Sequence, residues 1–345
     1  MKKTINIIGI GGSIHDFSSC LLQNGDMKMC IEDERLVRKK HAFYVGSSRE
    51  LYKRNAADQI LDNTGITMDD VDMVLGNDIL PLYYQKRLKS NVKSFHIINH
   101  HLAHACSAFY PSDFSEAAIL TIDGGGTNYD IDENLEYERI QVCSYAIGRG
   151  NKVEILDENI GKRYDAKKYN NSIDPVTDSL GGFYGVATNA CGFTFHEEGK
   201  TMGLAPYGTD KYLNRMMEYV NFTANGKFEF SIQGIDYFLE LKELWEGEED
   251  KEKQFNIRAD IAYAAQNIVE RGIIHAGTYL KRITGCENIC IAGGVALNSV
   301  ANYKLYKTGM FRNFFIQPAA GDNGTSIGAA YYGWYELMNQ KRENK

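Results

Sequence analysis

Residues 117–128, A-A-I-L-T-I-D-G-G-G-T-N, are the segment from which the fold class is predicted most directly. It reads as a buried strand that runs directly into glycines. Residues 4–13, T-I-N-I-I-G-I-G-G-S, have the same pattern. Each copy continues into two further apolar runs joined by a turn, at 19–22 and 27–31 in the first and at 142–147 and 152–156 in the second. The repetition indicates a duplicated α/β fold with a ligand between its halves; the alternative is two unrelated strands that each end in glycine.

Helices and strands alternate through the rest of the chain. Apolar spacing predicts strands at 95–98, 288–292 and 314–316, and helices at 48–63, near 100–109, at 257–283, from about 296 and from 326. The charged run 246–253 is predicted to be a solvated loop, and residues 198–208 fit no simple element. We therefore expect one lobe over residues 1–116 and a second over 117–345 with an insertion at about 160–255.

Composition places the chain among folded globular proteins. It has 345 residues, of which 43% are hydrophobic and 24% charged, and a formal net charge of −7. These values exclude a disordered chain and provide no basic field for nucleic acid, which we do not expect as a partner. The seven cysteines contain no C-x-x-C pair, and we expect them to be reduced. Without a bilayer-length apolar run or a signal-peptide pattern, the sequence predicts a cytoplasmic protein with no membrane partner.

The segment N-H-H-L-A-H-A at residues 99–105 predicts a metal site. His100 and His104 are four residues apart, so on a helix they lie on one face and can bind one ion. Asp123 and Asp322 each stand beside glycines, and carboxylates complete the ligand sets of iron, manganese or zinc. The alternatives are an ordinary polar helix face for the histidines and turn capping for the aspartates.

Several other residues are candidates for binding or proton transfer. Gly124–Gly126 and Gly293–Gly294 could let a phosphate approach backbone N–H groups, although such runs also occur in ordinary tight turns. His15 follows the first glycine turn, where it could act as a general base or simply stabilise the loop. The basic cluster at residues 38–41 is read either as a solvated helix start or as a clamp for a carbonyl or phosphate.

Taken together, these segments resemble the carbamoyltransferase family that includes nodulation protein U and the cephamycin and tobramycin carbamoyltransferases. Seven collinear motifs carry the resemblance: G-G-S-I-H-D-F-S-S at 11–19, D-E-R-L-V-R-K-K-H at 33–41, N-H-H-L-A-H-A at 99–105, S-L-G-G-F-Y at 179–184, G-K-T-M-G-L-A-P-Y-G at 199–208, A-G-G-V-A-L-N at 292–298 and G-D-N-G-T-S-I-G-A-A at 321–330. The resemblance implies a duplicated actin/sugar-kinase-like fold of the ribonuclease-H-like type, with two lobes and a nucleotide and metal cleft between them.

The resemblance also implies an activity and a site. The activity is transfer of a carbamoyl group from ATP-derived carbamoyl adenylate to a hydroxyl or amine of a small-molecule acceptor. A divalent ion, Fe²⁺ by family analogy or else Mn²⁺ or Zn²⁺, would be held by His100, His104, Asp123 and Asp322. The nucleotide would lie against Gly124, Gly125, Gly126, Gly293, Gly294 and Asn298. The transfer step would fall to His15, with Lys40 and Lys200 at basic positions of the family motifs.

Two departures from the family pattern bear on this function. Thr127 stands where the family usually has Glu. A YrdC-like domain that makes carbamoyl adenylate is not found in the sequence, so we expect a separate YrdC-like protein to supply it. A non-catalytic nucleotide-binding subunit and a tRNA threonylcarbamoyl transferase are the alternatives.

Overall fold

The computed structural model describes residues 4–89, 92–130, 136–165 and 174–342. Fourteen strands are present in these residues: β1 (Asn6–Gly11), β2 (Ser18–Gln23), β3 (Asp26–Glu32), β4 (Met73–Asn77), β5 (Phe95–Ile98), β6 (Glu116–Ile122), β7 (Asn128–Asp130), β8 (Tyr137–Arg149), β9 (Lys152–Tyr164), β10 (Val176–Thr177), β11 (Val220–Phe222), β12 (Phe228–Phe230), β13 (Asn288–Ala292) and β14 (Asn313–Ile316). They form two large sheets and the small hairpin β11-β12.

The two large sheets have the same topology. The first has the order β3-β2-β1-β4-β5, in which β3, β2 and β1 pair antiparallel and β1, β4 and β5 pair parallel. The second contains β9-β8-β6-β13-β14 with the same directions, extended by β10 at its edge and by β7 against β8. The predicted duplication of an α/β unit is therefore confirmed. The first copy begins with β1 and the second with β6.

Twelve α-helices connect and cover the strands of the described ranges: α1 (Asp33–Val37), α2 (Tyr44–Lys53), α3 (Ala56–Thr64), α4 (Leu82–Lys89), α5 (His100–Phe109), α6 (Leu180–Ala190), α7 (Glu198–Leu204), α8 (Leu213–Met217), α9 (Ile232–Glu246), α10 (Lys251–Thr284), α11 (Ser299–Lys307) and α12 (Thr325–Tyr332). The helices expected near 100–109, over 257–283 and from 326 are confirmed. Helix α10 begins earlier than predicted, at Lys251, because Asp250 caps it by accepting from the amides of Glu252 and Lys253.

The helical stretch expected over 48–63 is confirmed and consists of two helices, α2 and α3, because Asn55 accepts from the amides of Ala57 and Asp58 and starts a new helix. Two other expectations about local structure were wrong. The charged run 246–253 is a loop only over residues 247–250, between α9 and α10. Residues 198–208 are mostly helical, as α7 followed by a 3₁₀ turn at Ala205–Tyr207.

Helices α5 and α12 lie side by side between the two sheets. Helix α5 packs against β6 and β13 of the second sheet, while α12 packs against β1, β2 and β4 of the first. Each helix also packs against the other. Helix α5 follows the last strand of the first sheet in the chain but covers the second sheet. Helix α12 follows the last strand of the second sheet but covers the first. Both helices begin at the same end of the molecule, where the candidate site lies.

Glycines permit this close packing. A Cβ atom at Gly9 of β1 would lie 1.9 Å from the carbonyl oxygen of Ser326, and one at Gly11 would lie 2.4 Å from its amide nitrogen. A Cβ at Gly328 would lie 1.7 Å from the carbonyl oxygen of Ala103 in α5. The glycines of β1 therefore allow α12 to pack closely against this strand.

Apolar clusters fill both faces of each sheet. Ile8 and Ile10 face the cluster under α3, whereas Ile7 faces α12, as the alternation of a strand requires. The outer face of the second sheet is covered by α6, α9 and α10. Helices α6 and α9 lie within the expected insertion at 160–255, whose residues 166–173 lie outside the described ranges. In the part of the chain described, no helix is both long enough and apolar enough to span a bilayer.

Candidate metal and transfer site

Four donor side chains meet where α5, β6 and α12 come together. His100 and His104 lie one turn apart on α5, which Asn99 caps by accepting from the amide of Leu102. Asp123 follows the last residue of β6, and Asp322 opens the 3₁₀ turn that leads into α12. The helix spacing and the shared sheet edge thus explain why residues so distant in sequence converge.

The four side chains are buried and their donor atoms lie close together. His100 and His104 are 0% exposed, and Asp123 and Asp322 are each 7% exposed. The two Nε2 atoms are 3.1 Å apart, 3.3 and 3.4 Å from Asp123 Oδ2, and 3.5 and 3.6 Å from Asp322 Oδ1. Donors bound to one ion at about 2.1 Å in a tetrahedron would be roughly 3.4 Å apart. Two imidazoles and two carboxylates at this spacing fit a divalent cation.

The same proximity changes the charge of the side chains in the protein without an ion. Burial alone would lower the pKa of His100, but Asp322 and Asp123 raise it to about 10. Burial and mutual repulsion would raise the pKa values of Asp123 and Asp322, but the two histidines hold both below their usual range. Without an ion, the two carboxylates of the cluster therefore stay ionised and hold a proton on His100, and a bound cation would take the place of that proton.

Backbone amides orient Asp123 within the cluster. Its Oδ1 accepts from the amides of Gly124, at 2.8 Å, and Gly294, at 3.2 Å, which leaves Oδ2 toward the histidines. A side chain at Gly126 would collide with the ring of His101, and one at Gly293, where φ is +94°, would collide with the carbonyl of Ile122. These glycines therefore let two loops meet around the aspartate.

The backbone N–H groups of Gly124–Gly126 and Gly293–Gly294, which were expected to bind a phosphate, are only partly available to a ligand. The amides of Gly124 and Gly294 donate to Asp123, that of Gly126 donates to the Gln141 carbonyl, and that of Gly293 donates to the Ala320 carbonyl. A Cβ at Gly124 would meet nothing within 4 Å, so open space lies beside this loop. The glycines provide room next to the cluster, while most of their amides are engaged within the protein.

Asn298, expected on the nucleoside side, has its side chain engaged in the described structure. Its Oδ1 caps α11 by accepting from Ala301, and its amide group exchanges hydrogen bonds with Gln266 at 2.9 and 3.1 Å. The side chain is 7% exposed. Its role toward a nucleotide remains a prediction.

His15 lies beside the cluster, on the opposite side of Asp322 from the other histidines. Its Nε2 is 3.9 Å from Asp322 Oδ2, while its Nδ1 is 3.0 Å from Asp16 Oδ2. The loop that carries His15 is attached to the Asp322 turn, because the Gly12 amide donates to the Asp322 carbonyl. Burial lowers the pKa of His15, but Asp16 and Asp322 outweigh it and raise the pKa above its usual value.

Three further residues surround His15, and the sequence interpretation named none of them individually, although His41 lies in the basic cluster at residues 38–41. Asp16 Oδ1 is 2.9 Å from Nδ1 of His41, and the ring of His196 lies 4.0 Å from the ring of His15 and 4.9 Å from that of His41. Burial and the charge of His15 lower the pKa of His196 to about 3. Three histidines from three separate loops thus form a group around one carboxylate, and His41 and His196 had no regular spacing by which to predict this.

The two lysines proposed for catalysis have no described contact with the cluster. Lys200 is on the exposed face of α7, where its amine pairs with Glu197 and lies 5.7 Å from the centre of the Phe193 ring. Lys40 begins a 3₁₀ turn at the surface. Their proposed roles stay predictions.

Thr127, at the position where the resemblance leads one to expect Glu, is linked to the start of α5. Its hydroxyl lies 3.0 and 2.9 Å from the two carboxylate oxygens of Asp78, and Asp78 Oδ1 also accepts from the amide of His100. Asn99 Nδ2 donates to the same hydroxyl. Asp78 and Thr127 therefore hold the N-terminus of the helix that carries the two histidines, a role that the sequence interpretation missed.

A duplicated fold of this topology, with a buried four-donor cluster between its halves, defines the chain as an actin/sugar-kinase-like protein with a candidate metal centre. A solved structure with the same fold is full-length HypF in its phosphate- and nucleotide-bound form, at a TM-score of 0.55 and 14% identity over 98% of this chain and 56% of that one. At this identity the likeness shows the fold alone.

The chain belongs to the carbamoyltransferase family, since the family described as "Carbamoyltransferase N-terminus" matches residues 77–331. Nodulation protein NolNO of Sinorhizobium fredii is 28% identical, over 92% of this chain and 46% of that protein. An uncharacterised protein of Synechocystis is also 28% identical, over 98% of this chain and 58% of its own length. The chain therefore spans about half the length of the curated relatives it matches.

Proposed function

We propose that the protein transfers a carbamoyl group from carbamoyl adenylate to a hydroxyl or amine of a small-molecule acceptor. The observation that carries the proposal is the arrangement around Asp322. One of its oxygens faces His100 and His104 at 3.5 and 3.6 Å, and the other faces His15 at 3.9 Å. A cation-binding pocket and a candidate base thus share one carboxylate, as a phosphate-bearing donor and a nucleophile would require.

Each group has a distinct part in this reaction. His100, His104, Asp123 and Asp322 would hold a divalent ion, which when bound supplies positive charge for the phosphate of the departing AMP. His15 accepts the proton from the acceptor hydroxyl through Nε2. The acceptor oxygen then bonds to the carbamoyl carbon as the bond from that carbon to the phosphate oxygen breaks, and AMP leaves with both electrons. The products are the carbamoylated acceptor and AMP.

The solvent side of His15 provides an entry for the acceptor. His15 is 15% exposed, and the neighbouring Ile14 is 60% exposed. The rings of Phe43 and Phe195 lie 5.8 and 6.3 Å from the His15 ring. An acceptor that approached along this apolar rim would present its hydroxyl to His15 while the donor occupied the space beside Gly124.

The supply of donor is a separate part of the proposal. We propose that a YrdC-like protein makes carbamoyl adenylate from ATP and carbamoyl phosphate. The test combines the purified chain, labelled carbamoyl phosphate, ATP and a panel of hydroxyl and amine acceptors, with and without a YrdC-like protein. We expect a labelled acceptor only when both proteins are present.

His15→Ala is the decisive variant. It should abolish transfer while retaining bound metal, because His15 lies outside the four-donor set. Full transfer by His15→Ala would refute the base assignment. Metal and nucleotide binding without transfer to any acceptor in the panel would favour the non-catalytic subunit instead.

A further inference from the structure

We propose that Asp16 and His41 are positioning residues that hold His15 with its proton on Nδ1, so that its Nε2 lone pair faces the four-donor cluster. This inference rests on the proposed function, in which His15 takes a proton through Nε2. It gives a role to Asp16 and His41, which do not contact the donor cluster and were not among the expected site residues.

The contacts of Asp16 are the first argument. Its Oδ2 is 3.0 Å from His15 Nδ1, and its Oδ1 is 2.9 Å from His41 Nδ1. An ionised carboxylate only accepts hydrogen bonds, so both Nδ1 atoms must carry protons. A neutral His15 then has its free lone pair on Nε2, which points toward Asp322. Asp16 thereby selects one of the two tautomers of His15.

The backbone around Asp16 is the second argument. Asp16, His41 and His196 have φ values of +52°, +61° and +67°, which non-glycine residues seldom adopt. The two loops are tied together, because the Asp16 amide donates to the His41 carbonyl at 2.7 Å and the Tyr44 amide donates to the Ile14 carbonyl at 2.7 Å. Three unfavourable conformations within one group of contacting side chains are a cost that a positioning role explains.

His196 completes the group from a third loop. Its ring packs against those of His15, His41 and Phe43, at centroid distances of 4.0, 4.9 and 5.2 Å. This packing restricts rotation of the His15 ring about its side-chain bonds, which a hydrogen bond to one nitrogen would not do alone. Asp16 thus fixes the tautomer, and the neighbouring rings fix the plane of the imidazole.

The same side chains could instead bind a second ion. Donor atoms of His15, Asp16 and His196 lie within 4.8 Å of one another, as do those of Asp16, Glu34 and His41. The hydrogen-bond distances favour the tautomer interpretation, because both Nδ1 atoms already face Asp16 at 3.0 and 2.9 Å. Metal stoichiometry separates the two: one ion per chain supports positioning, and a second ion lost in Asp16→Asn overturns it.

Asp16→Asn and Asp16→Ala distinguish positioning from simple structural support. Asn tolerates the positive φ of this position better than Ala does, so a structural role predicts that Asp16→Asn is the milder change. Positioning predicts that Asp16→Asn lowers kcat about 100-fold, as much as Asp16→Ala or more, with KM for the donor within about threefold. The Asn amide group can donate to Nδ1 and so force the proton onto Nε2. Near-normal kcat in Asp16→Asn would overturn the proposal.

His41 offers a matched pair of variants. His41→Asn keeps a donor near Asp16 and also tolerates a positive φ, whereas His41→Phe keeps a ring and removes the donor. We expect kcat to fall about tenfold in His41→Phe and to stay within about threefold of the parent in His41→Asn. Equal losses in the two variants would contradict the role of the hydrogen bond. Asp26→Asn, at the exposed first residue of β3, is the control.

A spectroscopic measurement keeps this inference separate from the proposed function. Long-range ¹H–¹⁵N spectra of the Zn²⁺-loaded protein, labelled with ¹⁵N-histidine, report the tautomer of His15 at a pH where neutral imidazole predominates. His15 is identified from the signal missing in His15→Ala. We expect the proton on Nδ1 in the parent and on Nε2 in Asp16→Asn. A proton on Nε2 in the parent would refute the inference, whereas inactivity with the expected tautomer would refute only the proposed reaction.

Discussion

Asp322 is the residue on which the two parts of the candidate site depend. Its oxygens face different histidines, and its backbone carbonyl accepts from Gly12 and from the Thr325 hydroxyl. The Thr325 hydroxyl is in turn 3.1 Å from Asn77 Nδ2 at the end of β4. The backbone of Asp322 is thus held at the ends of β1 and β4 in the first sheet, while its side chain faces the two histidines of α5. A loss of position here would separate the candidate base from the donor cluster.

The ligand set makes a prediction at the level of one side chain. His104→Ala should reduce bound metal from about one ion per chain to a small fraction, because three remaining donors bind a divalent ion far more weakly. His101→Gln is the matched control, since His101 lies on the same helix but bonds to Ser144 instead. Elemental analysis of both purified variants provides the measurement. Full metal content in His104→Ala would show that His104 is not one of the ligands of the ion.

The sequence was informative for side chains with a regular spacing and uninformative for those without. The i, i+4 relation of His100 and His104 predicted a shared face, and glycines marked the turns that carry Asp123 and Asp322. By contrast, His41 and His196 reach the site only through loops with left-handed residues. No pattern in the chain predicts such a path. The capping role of Asn298 was similarly hidden, because Asn suits a helix start and a ligand contact equally well.

Among the secondary-structure elements, the crossing of α5 and α12 sets the spacing of the donor cluster. Gly328 lies at this crossing, against the backbone of Ala103 and Ser107. Helix propensity alone disfavours glycine here, so packing decides the residue. The sequence predicted both helices from their apolar spacing. It did not predict which sheet each would cover, because α12 packs against strands that lie more than 200 positions earlier in the chain.

Gly328→Ala should be severely destabilising. The added Cβ would lie 1.7 Å from the Ala103 carbonyl oxygen and 2.7 Å from the Ser107 amide nitrogen, and neither backbone can move without displacing α5. We expect the free energy of unfolding to fall by about 3 kcal/mol or more. Gly203→Ala in α7, where a Cβ would meet nothing within 4 Å, should instead raise it by about 0.5–1 kcal/mol. Urea unfolding measures both, and equal stabilities would contradict the close crossing.

At the scale of the whole molecule, the donor cluster joins elements from both repeats. The donors come from α5, the end of β6 and the start of α12, and α5 and α12 lie against different sheets. An ion bound here would therefore stabilise the arrangement of the two sheets as well as the local loops. The unfolded chain does not bring these four side chains together, so binding is coupled to folding.

Metal removal should lower thermal stability. An ion at about 100 times its dissociation constant stabilises the folded state by about 2.7 kcal/mol, which for a chain of this size is a Tm difference of about 4 °C. We expect this difference between chelator-treated protein and the same protein with added Zn²⁺. The His104→Ala variant should have one Tm under both conditions. If the Tm of the parent protein were the same with and without Zn²⁺, the cluster would not bind the ion.

Because each repeat supplies the helix that covers the other repeat's sheet, the fold also affects how the protein folds during translation. All five strands of the first sheet are made by residue 98, yet the helix that covers their inner face begins only at Thr325. During synthesis of the intervening residues, Ile7 and Leu75 on that face have no native neighbour from α12. The nascent first repeat would therefore need temporary protection, by a chaperone or by the ribosome surface, until α12 emerges. Loading of the ion would follow translation of Asp322.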